Sequence, residues 1–277
     1  MQLVACSASA ERAWRILAGF RTSAPPVRIL VALVVLAVLA YAGACVALYL
    51  MQRSLLYFPQ PRALGLQALD GFRRDGVLLQ LTVRPRPGPR AVLYFGGNGE
   101  DVSASVAPLA AAFPDRELVL LHYRGYGGSE GVPGEEAIAG DALALFDRVH
   151  AIHPDVVVVG RSLGSGVALR LASRRPVERV VLVTPYDSVL ELARSRFPMF
   201  PVGLLLRDKF ESWRYAPQVP APVTLVVAEH DELIPLASSE RLRGRFAPGQ
   251  AQWRLIAGTG HNTISDDPSY ARALAGH

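Results

Sequence analysis

Short apolar runs recur along the chain and are separated by polar segments rich in glycine and proline. Their length and their valine and leucine content are typical of buried strands, and they fall at 77–83, 91–95, 118–122, 156–159, 180–183, 223–227 and 253–256. Longer segments with helical spacing of apolar positions lie between several of them, at 102–113, 135–150 and 167–173. This alternation predicts an α/β fold, a mostly parallel sheet with helices on both faces.

The start of this sheet is less regular. The run 77–83 is followed by Pro85, Pro87 and Pro89, and we therefore predict that it forms an edge strand. The preceding segment, 52–69, contains Tyr-Phe-Pro-Gln-Pro and is predicted to be an irregular connector.

Residues 29–50 form a run of 22 residues without a charged side chain. A helix of that length spans roughly 33 Å, which matches the hydrocarbon core of a bilayer. The run predicts one transmembrane helix between a short, weakly ordered tail at 1–28 and a folded domain at 51–277. The alternatives are a buried core helix and a cleaved signal peptide, whose apolar region is usually shorter, about 7–15 residues.

Arginine is distributed unevenly around this run. Arg12, Arg15, Arg21 and Arg28 precede it, and at a similar distance after it lie Arg53 and Arg62. Because positive charge is retained on the cytoplasmic side, this bias predicts a single-pass protein of the cell membrane with an extracytoplasmic domain.

Composition excludes some classes of function. Apolar residues make up 51% of the chain, enough for a sizeable core. The net charge is +5, but the basic residues, nearly all arginine, are scattered without interleaved aromatic residues, so no nucleic-acid partner is predicted. Cys6 and Cys45 both precede the predicted domain, which therefore has neither a disulfide nor a thiolate metal cluster.

The segment 155–173 carries the strongest chemical signal. Four consecutive valines precede Gly160-Arg161-Ser162-Leu163-Gly164, and a helical pattern follows. A serine in a tight turn between a strand and a helix is the setting of a nucleophile elbow, in which glycines relieve backbone crowding. We therefore interpret Ser162 as a nucleophile; the alternative is a Gly/Ser turn that only closes a strand.

A serine nucleophile needs a histidine base, and the histidine needs a carboxylate. His261 follows the last predicted strand, and Asp231 follows the strand 223–227, so the chain order is serine, acid, histidine. Glu229 and Glu232 lie near enough to compete with Asp231, and Asp187 is a second-line candidate.

The oxyanion of an acyl-transfer intermediate needs two donors. One is expected from the backbone N–H of Leu163, and the other from Gly97 or Asn98 in the glycine-rich loop after strand 91–95, a choice that the sequence leaves open. Neither a phosphate-binding motif nor a cluster with metal-ligand spacing is present, so no cofactor and no metal are predicted. The apolar segment 185–217 departs from the alternation and is predicted to be a small helical cap over an acyl pocket, or else a packed helix pair.

Six segments together resemble the membrane-anchored α/β-hydrolase-domain proteins of the serine-aminopeptidase-like branch. They are Gln52–Pro59, Phe95–Asn98, Tyr123–Ser129, Gly160–Gly166, His230–Pro235 and Gly260–Asn262. The resemblance covers about residues 30–265 and implies Ser162 as nucleophile, Asp231 as acid and His261 as base. Members of that family usually carry His-Gly-Asn in the oxyanion loop, where this chain has Gly96 in place of the histidine.

These observations predict an anchored serine hydrolase that cleaves carboxylic esters or thioesters, lipid-derived ones included, through an acyl-enzyme. The expected partners are a small-molecule or lipid acyl substrate and the membrane. Two alternatives remain: an inactive hydrolase fold that serves as a binding or scaffold protein, and an acyltransferase on the same three residues.

Overall fold

An eight-stranded sheet forms the centre of the protein, whose computed structural model describes residues 25–63 and 68–276. The strands are β1 Ala68–Arg74, β2 Val77–Arg84, β3 Arg90–Phe95, β4 Glu117–Leu121, β5 Asp155–Arg161, β6 Arg179–Val183, β7 Val223–Ala228 and β8 Ala251–Ile256. Their order across the sheet is β1-β2-β4-β3-β5-β6-β7-β8. Strand β2 runs antiparallel to β1 and β4, and the other neighbours are parallel, which confirms the predicted mostly parallel sheet.

Helices cover both faces of this sheet. The described α-helices are α1 Pro25–Leu56, α2 Val106–Ala112, α3 Glu135–His150, α4 Leu163–Ala172, α5 Val189–Arg196, α6 Val202–Leu205, α7 Ser212–Tyr215, α8 Leu236–Arg243 and α9 Tyr270–Ala275, of which α2 to α9 belong to the same unit as the sheet. The valines of β5 alternate between two cores, Val156 and Val158 in one and Val157 and Val159 in the other. All four are fully buried, as expected for a central strand with both faces covered.

The prediction for the start of the sheet was wrong in two respects. Residues 77–83 are not an edge strand, because β1 pairs with β2 along its whole length, from Arg74 opposite Val77 to Ala68 opposite Val83. The connector predicted at 52–69 is also interrupted, since α1 continues to Leu56 and β1 begins at Ala68. An Asp-Gly turn joins the two strands, and both of its residues have positive φ, 51° at Asp75 and 79° at Gly76. This turn type matches the twist of a two-residue hairpin.

Helix α1 is longer than the apolar run that predicted it. It begins at Pro25 rather than after residue 28, because proline fits the first turn of a helix, where its missing N–H is not needed. An 18-residue window of α1 has a mean hydropathy of 2.8 and is wholly unburied, so the helix is long and apolar enough to cross a membrane. The rest of the predicted tail, 1–24, lies outside the described residues. The chain divides into two units between Met51 and Gln52, and the second carries the sheet.

The order of strands creates a crevice at the carboxyl ends of β3 and β5. Strand β4 lies on one side of β3 and β5 on the other, so the chain reverses its direction of travel across the sheet at this point. Phe95 of β3 is paired with Gly160 of β5, and the loops that follow these two residues therefore emerge side by side. Such a reversal is where open α/β sheets bind ligands.

Candidate active site

Ser162 occupies a strained turn between β5 and α4. Its φ of +49° is unusual for a residue with a side chain, and α4 begins at the next residue. Its N–H donates to the carbonyl of Val183 at 2.9 Å. A Cβ atom on Gly160 would collide with the carbonyl of Gly164, and one on Gly164 would collide with the carbonyl of Phe95. These two glycines therefore permit the turn that exposes the serine at the crevice.

His261 lies between Ser162 and Asp231. Its Nε2 is 3.0 Å from Ser162 Oγ, and its Nδ1 is 2.8 and 3.0 Å from the two carboxylate oxygens of Asp231. The carboxylate can only accept, so Nδ1 carries the proton and Nε2 is the acceptor that faces the serine hydroxyl. Both side chains are almost wholly buried, with 5% of His261 and 3% of Asp231 exposed. The arrangement allows Ser162 to lose its proton to the imidazole.

The carboxylate of Asp231 is held by its own loop. Its Oδ1 accepts the backbone N–H groups of Leu233 at 3.0 Å and Ile234 at 2.7 Å. These bonds fix the plane of the carboxylate, and the carboxylate in turn fixes the orientation of the imidazole.

The three competing acids do not contact the imidazole. Glu232 accepts the backbone N–H of His261 at 3.0 Å, a bond that lowers the pKa of this carboxyl. Glu229 accepts the N–H of Gly258 at 2.8 Å. Asp187 lies after a different strand and binds Ser238 and Arg241, each at 2.6 Å. Of the four acids that the sequence singled out, the structure brings only Asp231 to the ring.

Another histidine near the ends of the strands has a structural setting. His122 is buried, and its Nε2 lies 2.8 Å from the hydroxyl of Thr82. Burial lowers the pKa of His122 to about 4, the opposing effect of Asp101 being smaller. This ring is therefore neutral at physiological pH and serves the packing of β2 against the loop after β4.

The loop after β3 is folded around the carboxylate of Glu100. Its Oε2 accepts the N–H of Gly97 at 2.8 Å, and its Oε1 accepts the hydroxyls of Tyr94 at 2.7 Å and Ser105 at 2.6 Å. A Cβ atom on Gly96 would collide with Val102 and lie 3.1 Å from Glu100. There is consequently no room for the histidine that the resembled family carries at this position.

The same loop is held from its outer side through Asn98. The Asn98 amide donates to the carbonyl of Leu56 at 2.9 Å. The backbone carbonyl of Asn98 accepts the N–H of Phe58 at 2.9 Å and the hydroxyl of Tyr126 at 2.6 Å. Of the two residues that the sequence could not separate, Gly97 has its N–H bound to Glu100, and Asn98 lines the cavity at Ser162.

Arg161, which directly precedes Ser162, joins three loops. Its guanidinium lies 3.5 Å from Glu100 and donates to the carbonyl of His261 at 3.4 Å. Burial has the largest single effect and would lower the pKa of Arg161, but the interactions with Glu100, Tyr94 and Tyr270 together outweigh it, and the pKa is raised. Neither Glu100 nor Arg161 was predicted from the sequence to belong to the site. The available signal was a charged residue beside the serine and another within a glycine-rich loop.

A cavity of about 630 Å³ opens beside Ser162. Most of its lining is apolar, and it comes from the end of α1, from α5 in the segment 185–217, and from the loop after β7. The apolar residues are Leu56, Leu163, Tyr186, Val189, Leu192, Ala193, Leu233, Ile234 and Pro235. The charged ones are Arg196 and Glu232. Such a lining suits an acyl chain. Within residues 25–63 and 68–276, no group of three or more potential ligands is arranged to hold a metal ion.

The chain is similar in sequence to several known proteins. The chain is 33% identical over 261 residues to the uncharacterized protein Rv2307c of Mycobacterium tuberculosis. The alignment covers 87% of this chain and 89% of that protein. It is 30% identical over 184 residues to the lysophosphatidylserine lipase ABHD12 of Macaca fascicularis, covering 58% of this chain and 46% of that one. No family model matches the chain.

A solved structure supports the same assignment at the level of the fold. The mouse α/β-hydrolase domain-containing protein 10 superposes with a TM-score of 0.59 at 16% identity, over 75% of this chain and 95% of that one. Together with the strand order, the helices on both faces and the identity to relatives, this similarity shows that the chain belongs to the α/β-hydrolase family.

Proposed function

We propose that this chain is a membrane-anchored serine hydrolase that cleaves carboxylic esters or thioesters through an acyl-enzyme. The observation that carries the proposal is the position of His261, with Nε2 at 3.0 Å from Ser162 Oγ and Nδ1 at 2.8 Å from Asp231. Relatives that include a lipase support a hydrolase in general terms.

In the proposed reaction, Ser162 Oγ attacks the acyl carbon while its proton passes to His261 Nε2. Asp231 stabilises the imidazolium and keeps the ring in the required tautomer. The imidazolium then gives this proton to the leaving alkoxide or thiolate, and an acyl ester on Ser162 remains. Water then attacks this ester with His261 again as base. This step releases the carboxylic acid product and restores the hydroxyl of Ser162.

The oxyanion is stabilised in this proposal by the backbone N–H groups of Leu163 and Asn98. Leu163 is the first residue of α4, where N–H groups are not used within the helix. Asn98 is favoured over Gly97 because the N–H of Gly97 already donates to Glu100.

The first test is the time course of p-nitrophenyl ester hydrolysis by the full-length protein in detergent. We expect a burst of p-nitrophenol equal to the enzyme concentration, followed by slower steady turnover, wherever deacylation limits the rate. The absence of any release would favour the scaffold alternative. Transfer of the acyl group to an added alcohol in preference to water would favour the acyltransferase.

Glu100 is expected to act as a positioning residue for the oxyanion loop. Glu100→Gln removes the charge that faces Arg161 and weakens the bond to Gly97, so the donor of Asn98 loses its fixed position. Loss of an oxyanion donor typically costs about a hundred- to a thousandfold in kcat, and a displaced donor should cost less, about tenfold, with little change in KM.

The matched control for this variant is Glu130→Gln. Glu130 also accepts a backbone N–H, that of Leu78 at 2.8 Å, and also faces an arginine, Arg73 at 3.5 Å, but it lies in an exposed loop. Its kcat should stay within about twofold of the wild type, as is usual for exposed ion pairs. Equal kcat values for the two variants would contradict the role of Glu100.

The orientation of the anchor follows from the arginine bias and can be measured separately. A reporter that is active only outside the cytoplasm, fused after His277, should be active in intact cells. A fusion that is inactive there, while a cytoplasmic reporter at the same site is active, would reverse the proposed orientation.

A further inference from the structure

Three large apolar side chains are exposed on the segment between α5 and the end of α6. Phe197 and Met199 follow α5 directly, and Leu204 lies on α6. Leu204 is 86% exposed and Met199 is 79% exposed, whereas apolar side chains of this size are mostly buried in a folded domain. We call these three residues the cap surface.

The cap surface is continuous with the mouth of the cavity at Ser162. Leu192, Ala193 and Arg196 of α5 line that cavity, and Phe197 is the next residue along the chain. Leu233, which follows β7 and also lines the cavity, is itself 58% exposed. The exposed segment therefore directly follows, along the chain, residues that line the cavity beside the serine.

The segment that carries the cap surface is bonded to the end of α1. The side-chain amide of Gln52 donates to the carbonyl of Leu205 at 3.1 Å and accepts the N–H of Arg207 at 2.7 Å. Arg53 pairs with the buried carboxylate of Asp208 at 3.0 Å, and Tyr57 donates to the same carboxylate at 3.2 Å. Leu204 thus adjoins a residue held directly by Gln52.

Gln52 lies only two residues beyond the apolar run that ends at Leu50, and α1 continues through both. At a rise of about 1.5 Å per residue, the two are roughly 3 Å apart along the helix axis. The segment that Gln52 binds is therefore connected to the apolar run through only a few residues of chain.

We propose that the cap surface inserts into the bilayer that holds α1, so that an acyl lipid passes from the membrane directly into the cavity at Ser162. This inference rests on the proposed anchored hydrolase. Exposed Arg196 stands between the cavity and Phe197, where its charge meets lipid phosphates while Phe197, Met199 and Leu204 enter the acyl region. The substrate class is accordingly a membrane-resident acyl ester rather than a freely soluble one.

Membrane depth is measured with a fluorophore on Met199→Cys or Leu204→Cys, in full-length protein with Cys6 and Cys45 replaced by serine, reconstituted in phosphatidylcholine–phosphatidylglycerol vesicles. Doxyl-labelled lipids should quench both labels. Aqueous iodide should quench them several-fold less than it quenches the same labels on protein unfolded in detergent-free denaturant. The control is Ile152→Cys, an equally apolar and 69% exposed position in the turn before β5, at the opposite end of that strand from Ser162. Equal iodide quenching at all three positions would overturn the proposal.

Activity gives a second and independent readout. The double variant Met199→Ser/Leu204→Ser should hydrolyse p-nitrophenyl palmitate in vesicles about tenfold more slowly than the wild type, but p-nitrophenyl butyrate in water at the same rate. Equal losses on both esters, or none on either, would contradict delivery from the bilayer. If the wild type hydrolyses neither ester, the proposed hydrolase fails, and the quenching experiment still decides whether the cap surface enters the membrane.

Discussion

Ser162→Ala is expected to lower kcat on a short p-nitrophenyl ester by at least about ten-thousandfold. Among the described residues, His261 Nε2 has a hydrogen bond to this hydroxyl and to no other nucleophile, so no other nucleophile is in place to form the acyl-enzyme. In serine hydrolases that lack the nucleophile, the residual rate comes from the oxyanion donors and substrate binding, which act without the serine. The measurement is kcat and KM for the purified full-length protein.

A second serine of the same cavity provides the control. Ser195 also lines the cavity, but its hydroxyl donates within α5, to the carbonyl of Leu192 at 2.9 Å. Ser195→Ala should therefore keep kcat within about threefold, and circular dichroism should show both variants folded. Near wild-type turnover by Ser162→Ala would remove this serine from the mechanism.

Asp231→Asn is expected to cost about ten-thousandfold in kcat, since the corresponding change in a Ser-His-Asp protease has an effect of that size. The reason is the tautomer. An amide that presents its NH₂ group to Nδ1 favours the proton on Nε2, which then cannot accept the proton of Ser162. The two backbone bonds from Leu233 and Ile234 hold the side chain in place, so the fold should survive the change.

The other acids serve as controls for this variant. Asp187→Asn, Glu229→Gln and Glu232→Gln should each retain activity within about tenfold, because their carboxylates bind backbone N–H groups or Arg241 rather than the imidazole. The comparison is kcat/KM on one ester for all four variants. A severe loss in Asp187→Asn together with a mild one in Asp231→Asn would assign the acid to the loop after β6.

Much of this fold was predictable because buried strands and helices have strong local patterns. The valines of β5 and the glycines around Ser162 indicate where the turn lies. The order of serine, acid and histidine follows from the predicted strands that precede these residues. Helix α3, predicted at 135–150, has those bounds. The structure brings Ser162, Asp231 and His261 within hydrogen-bond distance of one another in series.

Strand β1 was missed because its sequence, ALDGFRR, lacks the alternation of apolar and polar positions that marks a strand. The turn after it did carry a signal, since Asp-Gly is a strong indicator of a two-residue hairpin. The edge position was consequently assigned to the wrong strand.

Other features depend on contacts between distant residues. Glu100 and Arg161 are 61 positions apart, and Gln52 reaches residues more than 150 positions away, so no local pattern announces either interaction. The shape of the loop after β3 in the absence of the usual histidine likewise depends on tertiary contacts, which the sequence does not show. The carboxylate of Glu100 and the side chain of Val102 occupy the space next to Gly96.

The central claim is that Ser162 forms a covalent acyl-enzyme, and a fluorophosphonate probe tests it most directly. The full-length protein is labelled, digested and mapped by mass spectrometry. We expect one adduct per chain, on the peptide that contains Ser162, absent from Ser162→Ala and formed far more slowly by Asp231→Asn. An adduct on another serine, or equal labelling of the wild type and Ser162→Ala, would contradict the claim.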